Sequence, residues 1–143
     1  MNTFFDWKET EAITNEYHEF EDCVLTRGFG SFRKGRKIPK IVLNFEDGEF
    51  SFFNKNDDEI AMGKLEVRAG KHVLEFTSPF PSEEINVLIY AYKNATVHAP
   101  IGSIKGGTTF PYIVVDYANG EVDFERADGK IRRMPLSIRP KLA

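Results

Sequence analysis

A chain of 143 residues, 41% of them hydrophobic, is the size of one ordinary domain with a conventional core. A formal net charge of -3 excludes a uniformly basic nucleic-acid binder. The single cysteine, Cys23, excludes an intrachain disulfide framework, and no run approaches the roughly 18–20 apolar residues of a bilayer-spanning helix.

The N-terminus, MNTFFDWKETEAI, lacks the basic start and apolar run of a signal peptide. An unprocessed chain working in the cytoplasm or in a virion is therefore expected, with no membrane contact. Residues 1–19 are polar with aromatic anchors at Phe4, Phe5, Trp7 and Tyr17. Ala12, Ile13 and Tyr17 give about one turn of helical spacing, so this segment reads as an arm or short helix, or else as a terminal strand.

From residue 20 the pattern is strands and turns. FEDCVLT (20–26) reads as a strand. IVLNF (41–45) and EFSFF (49–53) flank Asp47-Gly48 and predict a hairpin with a two-residue turn. NKNDDE (54–59) is a loop. KLEVR (64–68) and KHVLEF (71–76) flank Ala69-Gly70 and predict a second hairpin. Pro79 and Pro81 make 78–84 a connection. INVLIYAY (85–92) is almost continuously apolar and predicts one central strand covered on both faces. GSIKGGTT (102–109) is a Gly-rich loop. PYIVVDY, EVDFER and KIRRM, separated by Asn119-Gly120 and Asp128-Gly129, predict a three-strand meander.

No internal repeat is evident, so one domain over 20–143 is expected. The fold class is all-β: an antiparallel β-sandwich or jelly-roll-like barrel of about eight or nine short strands, with the N-terminal arm or helix attached.

Charge is unevenly placed. Residues 1–26 carry seven acidic groups against Lys8. Residues 27–40 carry six cations (Arg27, Arg33, Lys34, Arg36, Lys37 and Lys40) and no acid. The loop Arg33, Lys34, Arg36, Lys37, Lys40 is the candidate partner-binding surface. It suits phosphate or an acidic partner, or it is a solvated loop. Tyr90, Tyr92 and Tyr112 are a candidate aromatic face for a glycan or a subunit, or simply core.

Catalytic signatures are missing. His18, His72 and His98 have no zinc-pair spacing, and Cys23 has no CxxC partner. NKNDDE offers oxygen donors out of register with an EF-hand. No nucleophile elbow or P-loop is present, since GGTT lacks the P-loop lysine. A non-enzymatic protein without metal or cofactor is expected.

One segment carries a family resemblance. In KHVLEFTSPFPSEEINVLIYAY (71–92), Leu74 and Phe76 precede a Pro79-Phe80-Pro81 bend and a long apolar strand. This is similar to the β-sandwich modules at bacteriophage tail-fibre tips and to H-type lectins. The resemblance implies an oligomeric virion or surface-binding module, and no sugar-site motif transfers residue by residue. The expected function is thus a structural or assembly module of a bacteriophage virion, acting through contacts with itself or neighbouring virion proteins. The alternatives are a lectin-like carbohydrate-binding module and a small inhibitor or regulator. The last would bind nucleic acid or a protein through 33–40.

Overall fold

A computed structural model describes residues 3–12, 17–45 and 47–141. The described chain is all-β, as expected; it holds no helix, and its strands pair antiparallel. Thirteen strands occur among the described residues, more than the eight or nine expected. They are β1 (Phe5–Asp6), β2 (Glu9–Ala12), β3 (Tyr17–Leu25), β4 (Lys37–Asn44), β5 (Glu49–Phe53), β6 (Glu59–Ala69) and β7 (His72–Val73). β8 (Phe76–Thr77), β9 (Glu83–Asn86), β10 (Ile89–Val97), β11 (Thr109–Asp116), β12 (Glu121–Glu125) and β13 (Ile131–Pro140) follow.

The chain divides into two compact units. The first is Thr3–Glu66 with the chain from Ile138 onward; the second is Val67–Ser137. In the first, the strand order is β1-β3-β4-β5-β6, with β2 also on β3. The end of β13 completes it, where the Lys141 N–H donates to the Lys64 carbonyl at 2.8 Å. In the second, the order is β13-β12-β11-β10-β8, with β9 also on β10. The end of β6 completes that unit, and the Gly70 N–H donates to Pro135 at 2.7 Å.

The two units are copies of one plan. β3, β4 and β5 recur as β10, β11 and β12, each 72 positions further along the chain. Val24↔Lys37 becomes Thr96↔Thr109, and Asn44↔Glu49 becomes Asp116↔Glu121. Phe29 and Phe32 form a bridge, as do Ile101 and Ile104. Gly35 and Gly107 sit at φ 89 and 88, and their N–H groups donate to Leu25 and Val97. The expectation of no repeat is corrected. The pattern was hidden because size changes at most matched positions while backbone role does not.

Both copies interrupt the first strand pair at the same point. Asp22 (φ 50) lies across from Pro39, and Asn94 (φ 50) lies across from Pro111. Proline offers no N–H to the ladder, and Asp or Asn tolerates the left-handed conformation better than other residues with a Cβ. After β5 the spacing drops from 72 to 71. A bulge at Ile60 in β6 adds one residue that β13 lacks.

The cores differ in filling. In the first unit Phe4, Phe5, Phe20, Phe50 and Phe52 are buried, with Phe29 and Phe32 packed on them, and ring centroids lie 5.0–5.8 Å apart. Such edge-to-face pairs contribute about 0.5–1.5 kcal/mol each beyond their area. In the second, Ile101, Ile104 and Val122 occupy the places of Phe29, Phe32 and Phe50.

Several local expectations change. Residues 1–19 are neither arm nor helix where described: β1 and β2 pair with β3. Ile13 and Glu16 lie outside the described residues. INVLIYAY is not one strand. It breaks at Leu88 (φ 63) into β9 and β10, which pair as a hairpin, and β9 is exposed. KHVLEF divides between β7 and β8. The loops holding Asp47-Gly48 and Asn119-Gly120 have four residues, not two. The Asn44 and Asp116 side chains accept the N–H of the residue three positions on, closing a longer turn.

Candidate anion-binding cleft

The ladder interruption at Asp22 and Pro39 borders an open cleft of about 470 Å³, wholly within the first unit. Buried Cys23 and Ile38 form its apolar floor beside Pro39. Its charged lining is Lys8, Lys37, Lys55 and Asp22.

Each lysine comes from a different segment. Lys37 opens β4. Lys8 links β1 to β2, and its N–H donates to the Glu21 carbonyl at 3.0 Å. Lys55 stands in the loop between β5 and β6. The Asn54 Oδ1 pins that loop by accepting the N–H groups of Asn56 and Asp58 at 2.9 and 3.0 Å. All three lysines are exposed, and none forms an ion pair among the described residues. Three cations against Asp22 leave the cleft with an excess of positive charge.

The sequence-predicted basic loop is only partly assembled there. Lys37 is in the cleft. Arg33 and Lys34 are exposed in the turn that follows the Phe29–Phe32 bridge and leads back to β4. Arg36 lies over the Phe32 ring at 4.6 Å, which ties the loop to the aromatic core. Lys40 is engaged elsewhere. Its ammonium is 3.1 Å from Asp57 and 3.8 Å from Glu19, and 4.7 Å from the Phe53 centroid. The Asp57 hydrogen bond raises its pKa above the ordinary lysine value.

Lys8 and Lys55 are the functional candidates that sequence reasoning missed. One sat in a segment dominated by acids, the other in a loop read as oxygen donors. The repeat was the available signal, because Thr109 and Ala127 stand where Lys37 and Lys55 do, and the stretch matching Lys8, Pro79-Phe80, also lacks lysine. The plan therefore folds without lysine at these sites.

The three tyrosines do not make a common exposed face. Tyr90 is fully buried, 6.0 Å from the Tyr117 ring. Tyr92 is half-buried against Phe76 at 4.8 Å. Tyr112 is 37% exposed and pairs with Lys93, one register position from the Tyr92↔Ile113 pair and so on the opposite face. Lys93 in turn lies 5.5 Å from the Phe80 ring.

The remaining reactive side chains have structural partners. The Cys23 thiol donates to the Phe20 carbonyl at 3.3 Å, and burial pushes its pKa up to about 12. His18 is buried near Phe20 and Phe45, and the His98 Nε2 is 2.8 Å from the Thr77 hydroxyl. Among the described residues no three His, Cys, Asp or Glu side chains are placed to hold a metal. Comparison with known proteins returns no match: no family model, no curated protein and no solved structure is similar to this chain.

Proposed function

We propose that the protein is a non-catalytic binding module whose first unit holds the phosphate backbone of a nucleic acid. The observation that carries this reading is the cleft where Lys8, Lys37 and Lys55 outnumber the single carboxylate of Asp22 and, among the described residues, form no ion pair. Lysine acts on phosphate as a point charge, needing no fixed approach direction. The exposed Arg33 and Lys34 extend the same charge along the neighbouring loop. Phe29 and Phe32 are half-buried with their rings packed against Phe52, and Arg36 lies over Phe32, so the reading is of backbone contact rather than base stacking.

Binding of this kind depends steeply on salt. Three phosphate contacts on a duplex imply a roughly 40-fold loss of affinity between 50 and 200 mM salt. Fluorescence anisotropy with a labelled duplex tests the reading, with an acidic peptide of equal charge as control. Duplex binding that falls with salt supports it. Binding of the peptide but not the duplex, or of neither, contradicts it.

A further inference from the structure

The residues 72 positions beyond Lys37, Ile38, Pro39 and Lys55 are Thr109, Phe110, Pro111 and Ala127. All four line another open cleft, of about 390 Å³, wholly within the second unit. The same place in the plan therefore opens in both copies, with different chemistry. The two lysine positions are now threonine and alanine. Lys105 and Arg126 border the cleft instead, both exposed and neither in an ion pair among the described residues.

Hydroxyls join these cations. The Ser103 Oγ accepts a hydrogen bond from Arg132 Nη1, and a hydroxyl that accepts still has its own hydrogen to donate. Thr108 Oγ1 instead donates to the Lys105 carbonyl at 2.7 Å, which fixes the loop carrying Lys105. The cleft thus offers the forked guanidinium of Arg126, the Lys105 ammonium and one free hydroxyl donor. A guanidinium beside an ammonium and a hydroxyl suits a compact tetrahedral oxyanion.

We infer that the second unit carries its own anion site, in which Arg126, Lys105 and Ser103 bind a phosphate group. The group is either a free phosphate or one unit of a phosphodiester chain. The inference stands on the second unit's own side chains, so it can hold where the reading of the first cleft fails.

The test is a ¹H–¹⁵N titration of the full chain, one arm with inorganic phosphate and one with a short single-stranded oligonucleotide. Saturable shifts of the Ser103, Lys105 and Arg126 amides are expected in at least one arm. Saturation with inorganic phosphate assigns a free anion, and saturation with the oligonucleotide alone assigns the phosphodiester chain. The shifts should vanish in Lys105→Gln/Arg126→Gln and persist in Lys8→Gln/Lys37→Gln/Lys55→Gln. Amide dispersion reports folding, and Arg126→Gln alone serves if the double variant unfolds. No saturable shift in either arm, or shifts that survive loss of Lys105 and Arg126, overturns the inference.

Discussion

Gly63 and Phe50 show how single residues are matched within each copy. They are cross-strand partners, and a Cβ on Gly63 would lie 2.8 Å from the Phe50 ring. The ring is hemmed in by Phe4, Phe29 and Phe52, so it has little room to turn aside. The matched pair in the second unit is Val122 and Met134, medium against long instead of large against none. Gly63→Met is therefore expected to destabilise by about 1–3 kcal/mol through overpacking. Adding Phe50→Val should recover part of that loss, which urea unfolding of both variants would measure as a non-additive double-mutant cycle.

Cys23 supplies a second check at this scale. With a pKa near 12, its thiol is almost wholly protonated at pH 8, and the side chain is 1% exposed. The thiolate is the nucleophile, so iodoacetamide should label it only at the rate of local or global opening. The sign for stability follows from the raised value. Below the unfolded value near 9 the folded state loses nothing, and between about 9 and 12 stability falls as the unfolded thiol ionises. Prompt labelling of the native protein at pH 8 would contradict the burial.

At the scale of elements, the interrupted β3–β4 ladder is both a fold device and the border of the cleft. Asn94 holds the place of Asp22 at the same φ of 50. Asp22→Asn should leave thermal stability nearly unchanged, while Asp22→Val should cost about 1–2 kcal/mol through backbone strain. Asp22→Asn also removes the negative charge from the cleft, so anion binding should tighten in that variant. Unchanged or weaker binding would separate Asp22 from the site.

Much of this layer was legible from alternation and turn residues. The meander from β11 to β13 and the β4–β5 hairpin follow from them directly. Turn length was not legible, because Asn44 and Asp116 close their loops through side chains that a dipeptide rule ignores. The run 85–92 misled because apolar content cannot reveal a left-handed residue such as Leu88. The segment 5–12 lacks alternation over more than a few residues, so its strands depend on β3 as a template. The site was half legible. Lys37 lay in the basic run, but Lys8 and Lys55 join it only through pairing between distant segments.

For the whole molecule, duplication gives each unit an internal control. Two copies keep the bridges, the glycine at Gly35 and Gly107 and the interrupted ladder, while their side chains diverge at the cleft. What both copies keep is what the fold requires. What only one has, lysine at 8, 37 and 55, is free to serve binding. Neutralising those residues should leave the melting temperature close to that of the parent chain, since exposed charges without partners contribute little to stability. The most direct measurement is the salt dependence of duplex affinity for the parent chain and for Lys8→Ala/Lys37→Ala/Lys55→Ala. The account predicts a logarithmic slope shallower by about one for each lysine removed, with folding intact. A slope and affinity identical to the parent chain would contradict it.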